Sequence, residues 1–241
     1  MEDLKNYLET AIIAAKNAGK FLIDNKNSDK KVLAEHGRDI KIELDKECEN
    51  LIRKDLETTN IEILGEEFGG KISKNNASWI VDPIDGTANY FRGIDQCCIS
   101  IALMEGGKSK IGVIYNFNTN EIFYASLGDG AYLNKEKIEV SNISDKSKAS
   151  LFTGFPASES IESQSQFLNN LKVWKKIRMF GSAALSCAYV ASGKGDYYAE
   201  KGVYLWDFAA GICLVEEAGG KAEFSLIDDD RYSVKFSNGM L

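Results

Sequence analysis

The sequence predicts a mixed α/β fold with α+β character, on three observations. Apolar residues recur at helical spacing from Leu4 to Leu22, the stretch 98–132 alternates short β-like runs with turn residues, and helical and strand-like patterns interleave beyond about residue 165. With 241 residues and 44% hydrophobic content, the chain can close one large core or two intimately packed halves.

The first element is an amphipathic helix in which Leu4, Leu8, Ala11, Ile12, Ala15, Ala18 and Leu22 form the apolar face and Asp3 is a candidate cap. A second helix is predicted from near Asp45, with Cys48, Leu51, Ile52 and Leu56 on one side. His36, the single histidine, falls in a polar stretch that reads as a surface loop. The runs 61–64 and 79–81 read as buried strands, and both end in acids, Glu66-Glu67 and Asp82. The runs 99–103, 111–115 and 122–125, parted by Gly107, Asn118-Thr119-Asn120 and Gly128-Asp129-Gly130, predict an antiparallel meander.

Residues 141–165 are Ser-rich and weakly periodic. They suggest a division between an N-terminal α+β segment, residues 1–145, and a C-terminal α/β segment, residues 146–241, within one compact unit. In the C-terminal segment the patterns predict helices near 164–174 and 183–192, a strand at 196–199, a helix over 208–218 closed by Gly219-Gly220, and terminal strands near Ala222 and Ser233.

Lys and Arg number 29 against 36 Asp and Glu, a net charge of -7 that argues against a general nucleic-acid or membrane-surface binder. Cys48, Cys97, Cys98, Cys187 and Cys213 lie in apolar stretches with neither a CxxC pair nor zinc-like spacing, and read as reduced core thiols of a cytoplasmic protein. The start is acidic and no apolar run approaches the roughly 18 residues of a membrane span, so neither a leader nor a span is expected.

The stretch 79–87, Trp-Ile-Val-Asp-Pro-Ile-Asp-Gly-Thr, carries the chemistry. It reads as a buried strand ending in Asp82 and Asp85, followed at once by a Gly-Thr turn. Magnesium takes hard oxygen ligands and borrows others from phosphate, so two Asp fixed by Pro83 beside the amides at Gly86 suit phosphoryl chemistry. Asp207, ahead of an apolar helical run, taken alone reads as a helix N-cap. Glu66-Glu67, taken alone, reads as a solvated loop pair. Together, Glu66, Asp82, Asp85 and Asp207 at the ends of regular elements are hard to accommodate unless cations neutralise them.

Other phosphatase chemistries fit less well. Cys48 and Arg53 fall inside a predicted helix with no Gly-rich loop between them to wrap a phosphate, and Asp82 and Asp85 are separated by two residues where an aspartyl-phosphate enzyme wants one.

Four strings, Gly65-Glu66-Glu67, Asp82-Pro83-Ile84-Asp85-Gly86-Thr87, Gly181-Ser182-Ala183-Ala184-Leu185 and Trp206-Asp207-Phe208-Ala209-Ala210-Gly211, follow one another across most of the chain. In these the sequence resembles the inositol monophosphatase family of Mg²⁺-dependent, lithium-sensitive phosphatases. The resemblance implies a layered αβαβα sandwich, two or three Mg²⁺ ions and a homodimer. It implies that Glu66, Asp82 and the Ile84 carbonyl hold one ion, and that Asp82, Asp85 and Asp207 hold a second. Thr87 and Glu66 would orient a water for in-line attack without a phosphoenzyme, and Asp39 and Asp45 match an upstream acidic pair in which Asp45 would assist Thr87 or a loosely held third cation. The implied substrate contacts are Gly86, Thr87, Ser182, Ala183 and Glu200, the last against a hydroxyl of the leaving group.

Taken alone, Glu200 is a surface acid. Ala88 stands where many relatives place a second Thr, and Lys41 departs from the small residues usual between the upstream acids; Lys41 reads as solvated. Set against the family, Glu200 and the Ala88-Asn89-Tyr90 that follows Thr87, where relatives that cleave nucleotide 3′-phosphates carry a Lys, imply myo-inositol monophosphate or a similar small polyol or sugar phosphate. Histidinol phosphate, fructose bisphosphate and 3′-phosphonucleotides are the alternatives within the class, and a non-catalytic regulatory binding protein is the alternative outside it.

Overall fold

A computed structural model describes residues 2–28, 32–36, 39–72, 76–156 and 160–241. The predicted N-terminal periodicity becomes α1 (Glu2–Asp24), which buries Leu8, Ala11, Ala15, Ala18 and Leu22; it begins ahead of Asp3, which therefore lies in the first turn instead of capping it. A hairpin of β1 (Val32–His36) and β2 (Asp39–Ile42) follows, so His36 ends a strand instead of lying in a loop. The expectations for the side chains of Asp39 and Lys41 fall outside the described residues. Next, α2 (Glu43–Leu56) turns Leu44, Cys48, Ile52 and Leu56 inward.

Both helices cover one face of a seven-stranded sheet in which chain order is spatial order: β3 (Glu62–Gly65), β4 (Ser78–Asp85), β5 (Cys98–Glu105), β6 (Lys108–Asn116), β7 (Glu121–Ser126), β8 (Gly130–Leu133) and β9 (Glu136–Ile138). Only the β3–β4 pairing is parallel. The short helix α3 (Thr87–Arg92) leaves the end of β4. Residue alternation sorts the sheet: Trp79, Val81, Ile99, Ile101, Ile111 and Val113 face α1 and α2, while Ile80, Cys98, Ala102, Ile114, Phe123 and Ala125 face the opposite way. Burial on both faces explains why these strands read as nearly unbroken apolar runs.

The second sheet has the order β11-β10-β12-β14-β13, built from β10 (Ser150–Thr153), β11 (Lys176–Arg178), β12 (Tyr197–Tyr204), β13 (Lys221–Leu226) and β14 (Arg231–Ser237). Thus the Ser-rich stretch already contains a strand, and β12 runs well beyond the 196–199 predicted, past an irregularity at Gly202 with φ +83°. Helices α5 (Ala183–Ala191) and α6 (Leu205–Glu217) fill the space between the sheets, and α4 (Ile161–Leu171) lies across a cleft from Leu151, Ala199 and Lys235 on the second sheet's outer side. The layers are helix, sheet, helix, sheet, helix, as the family resemblance implied.

Small residues let the middle helices approach closely. A Cβ on Gly112 of β6 would stand 2.2 Å from the Ala210 carbonyl oxygen of α6, and one on Gly211 would stand 2.4 Å from Cys187 Cβ of α5. All five cysteines are free and buried: Cys48 and Cys97 in the core under α1 and α2, and Cys98, Cys187 and Cys213 in the core around α5 and α6. Among the described residues, no helix is long and apolar enough to cross a membrane.

Gly112→Ala should destabilise the protein by about 1–3 kcal/mol, since the new methyl meets backbone that cannot rotate away. Urea melts followed by circular dichroism would measure the loss.

Candidate active site

The strand β4 delivers two acids to one side of its sheet by a change of register. In a regular strand Asp82 and Asp85, an odd number of residues apart, would point to opposite faces. Pairing with β5 runs Asp82↔Ser100 and then Asp85↔Cys98, so β4 carries one extra residue there, a bulge at Pro83 where a ladder N–H is not needed. Ile84 on the bulge packs under α2 while both acids turn toward the middle helices.

Asp85 is received by the start of α5. Ser182 Oγ donates to its Oδ2, Ala184 N donates to the same oxygen at 2.7 Å, and Ala183 N approaches Oδ1 at 3.3 Å. Ser182 and Ala183, expected as substrate contacts, therefore direct their donors to Asp85. Burial pushes Asp85 up to about 6, against these donors, which pull it down.

Asp207 enters from α6, which starts at Leu205 and not at the predicted 208. Asp207 is thus the third helical residue instead of the N-cap, and its Oδ2 accepts the Tyr204 amide at 2.8 Å. Asp45 repeats the device in α2, its Oδ2 accepting from Ile42 N at 2.7 Å while Oδ1 faces Thr87 Oγ1 at 3.4 Å. Thr87 Oγ1 also donates to the Ile84 carbonyl at 2.9 Å. Gly86 makes the turn with φ +91°, where any Cβ would press on Gln96 O at 2.9 Å. Bonding within α3 begins with the Asn89 and Tyr90 amides, both directed to Gly86 O, so the amides of Gly86, its N-cap, and Thr87, its first residue, precede the first helical hydrogen bond.

Glu66, half-buried at the end of β3, hydrogen-bonds the Asp82 side chain. Burial first, then repulsion from Glu66, Asp85 and Asp207, holds Asp82 well above the carboxylate range. Burial, Asp85, Glu66 and Glu200 do the same to Asp207. Among the described residues, no three His, Cys, Asp or Glu side chains are gathered about one point closely enough to hold an ion with these rotamers. Asp45, Asp82, Asp85 and Asp207 are instead turned to protein donors, as Asp82 Oδ1 is to Ile84 N at 3.0 Å. The donor set nevertheless fits a hard divalent cation: it is all oxygen, and a positive charge would relieve the repulsion these acids exert on one another.

Glu200 is not the surface acid its local sequence suggests. Its Oε2 accepts from Tyr198 OH at 3.0 Å, and its carboxyl occupies the place of a Gly154 side chain, where a Cβ would lie 1.9 Å from Oε1. Burial raises it to about 7, moderated by Tyr198 and reinforced by Asp85. Sequence reasoning also missed Asn89, whose Nδ2 donates to Gln96 O at 2.7 Å and Phe180 O at 2.6 Å and so ties α3 to the approach to α5. No periodicity marks such a cross-link.

This fold and acidic site define a phosphatase built on a layered sandwich. Residues 3–223 match the model of the inositol monophosphatase family, and the chain belongs to that family, whose members are phosphoric monoester hydrolases and generally metal-dependent. It is 42% identical over 214 residues to Nus factor SuhB of Xylella fastidiosa, covering 86% of this chain and 78% of that protein. It is 39% identical over 204 residues to inositol monophosphatase 2 of Saccharomyces cerevisiae, covering 77% and 69%. The solved structure of a Thermotoga maritima IMPase superposes with a TM-score of 0.86 at 31% identity, covering 98% of this chain and 93% of that one.

The raised acids fix a pH dependence. Between their ordinary values near 4 and their folded values, the folded protein holds protons that the unfolded chain has released, so stability falls as pH rises. Metal-free protein should therefore melt higher at pH 5 than at pH 8, with Asp85 losing its share through about 6 and Glu200 through about 7, and with Asp82 and Asp207, also raised, acting in the same direction. Added Mg²⁺ should raise the melting temperature more at pH 8 than at pH 5, as scanning calorimetry in EDTA and in Mg²⁺ would reveal.

Proposed function

We propose that this protein is a Mg²⁺-dependent phosphomonoesterase acting on myo-inositol monophosphate or a similar small polyol or sugar phosphate. The observation that carries the reading is the meeting of Glu66, Asp82, Asp85 and Asp207, acids from distant stretches of the chain that raise or hydrogen-bond one another. Glu66, Asp82 and the Ile84 carbonyl would hold one ion, and Asp82, Asp85 and Asp207 a second. Bound there, the cations offset phosphate charge and make water nucleophilic at neutral pH. Asp45 accepts from Thr87, fixing a hydroxyl beside the turn whose Gly86 and Thr87 amides would face the phosphate. Glu66 and Thr87 would orient the attacking water.

Glu200, held by Tyr198, suits the hydroxyls of a polyol leaving group, because a carboxylate there can accept from them. In this reading the N-terminal segment, residues 1–145, supplies most of the metal ligands, and residues 146–241 supply Asp207 and the leaving-group contacts. Exposed Ile161, Leu168 and Val173 on and after α4 favour a homodimer, and five free, buried cysteines favour the cytoplasm. The name of the Xylella relative, a Nus factor, favours a second reading in which the fold serves a regulatory partner. Histidinol phosphate, fructose bisphosphate and 3′-phosphonucleotides are the competing substrates.

A panel of these esters at fixed Mg²⁺ tests the assignment, and the highest kcat/KM should fall to an inositol or sugar monophosphate. Asp82→Asn should lower kcat by at least about 100-fold, the scale of losing a preorganised electrostatic contact. Phosphate release that survives both EDTA and Asp82→Asn would remove the metal mechanism. Glu200→Gln should raise KM for a polyol ester roughly tenfold, the worth of one charged hydrogen bond, while sparing small aryl phosphates. Millimolar Li⁺ should inhibit; a flat lithium titration would count against the pairing of Asp85 with Asp207.

A further inference from the structure

Glu49 lies outside every role given above, yet it is a fully buried carboxylate pointed at the loop that carries Glu66. Its Oε2 accepts the Glu67 amide at 2.7 Å and its Oε1 faces the Phe68 amide at 3.4 Å. Its carboxyl fills the space beside Gly65, where a Cβ would lie 2.0 Å from Oε1, so Gly65 is the residue that admits it. Arg53, one helical turn on, donates Nε to Glu49 Oε1 at 2.7 Å and Nη2 to Gly69 O at 2.7 Å. The Arg53 guanidinium also lies 5.7 Å from the Phe68 ring centroid. The pair thus grips the 66–69 turn from both ends, amides through the carboxylate and a carbonyl through the guanidinium.

The remaining backbone of the turn is fastened too. Gly65 N donates to Gly69 O at 3.0 Å and Glu66 N to Val81 O at 3.1 Å. Gly70, at φ +143°, packs so closely that a Cβ on it would stand 2.2 Å from Ile63 O. Glu66 is therefore presented from a loop with the amides of residues 65–68 engaged. A lone buried carboxylate at Glu49 would be costly; paired with Arg53, it anchors the loop as a nearly neutral unit.

We propose that Glu49 and Arg53 are positioning residues that hold the Glu66 carboxyl where a divalent cation can take it, so that metal affinity depends on an ion pair that touches neither metal nor substrate. The inference rests on Glu66 being a metal ligand. Groups that orient a ligand typically contribute about 10- to 100-fold in metal affinity. That loss is expected in the Mg²⁺ dissociation constant of Glu49→Gln, measured by calorimetric titration of the full chain, with a smaller one in Arg53→Lys, which keeps the charge but loses the fork to Gly69. Hydrogen exchange in EDTA should quicken at the Glu67 and Phe68 amides in both variants, a readout independent of metal.

Two reference variants separate the outcomes. Leu8→Ala opens a cavity beneath α1, away from the acids, and should leave Mg²⁺ affinity unchanged, so a loss of affinity in Glu49→Gln and not in Leu8→Ala reports positioning and not general loosening. Glu66→Gln should weaken binding at least as much as Glu49→Gln. If Glu66→Gln weakens binding while Glu49→Gln and Arg53→Lys bind Mg²⁺ as wild type does, the clamp is overturned and the ligand stands. If Glu66→Gln also binds normally, the ligand assignment falls and the clamp falls with it. Should Glu49→Gln not fold, Arg53→Lys decides by the same two measurements.

Discussion

Everything in this molecule accommodates the burial of several carboxylates beside one another. Water solvates such groups well and a protein interior does not, so each acid needs compensation from the scaffold or from a cation. The scaffold's share is visible acid by acid. Asp85 receives a hydroxyl and two amides from the head of α5, while Asp45 and Asp207 accept the amide preceding their own helices. Those donors fix each side chain and still leave the cluster short of positive charge, which is the condition of a site that binds divalent ions.

The layering explains how such distant residues meet. Seven strands and five strands enclose α5 and α6, and the site forms at the edge of that filling, where the ends of β3 and β4 face the first turns of the two helices. Helix starts carry a partial positive charge, so two of them aimed at one acidic cluster moderate it before any ion arrives. The tight seating of α6 on β6 at Gly112 makes that aim rigid. Packing in the middle layer is thus a condition of the chemistry at its edge.

Much of this could be read from the residues. Period-2 and period-3.6 patterns located most helices and strands, because burial on one face imposes those periods. The strings around Glu66, Asp82 and Asp207 identified the ligands proposed above. Other features were not legible for physical reasons. The β4 bulge is a matter of pairing with β5, and no local pattern encodes a partner's register. Asp207 resembles a cap because a capping acid and an acid in the first turn share composition and differ only in where the helix begins. Glu49 and Glu200 look like ordinary surface acids in their local sequence, since their burial is imposed by Gly65 and Gly154, residues far along the chain. The five-layer order came from family resemblance, since periodicity fixes which face is buried and not what buries it.

The five thiols give the architecture a built-in reporter. Burial raises every one of them, so the folded protein offers reagents hardly any thiolate, and modification has to await an opening of the structure. Because two sit beneath the outer helices and three between the sheets, the order in which they are labelled distinguishes lifting of the N-terminal helices from separation of the sandwich. Chemistry that plays no role in the reaction thereby records how the two halves of the core come apart.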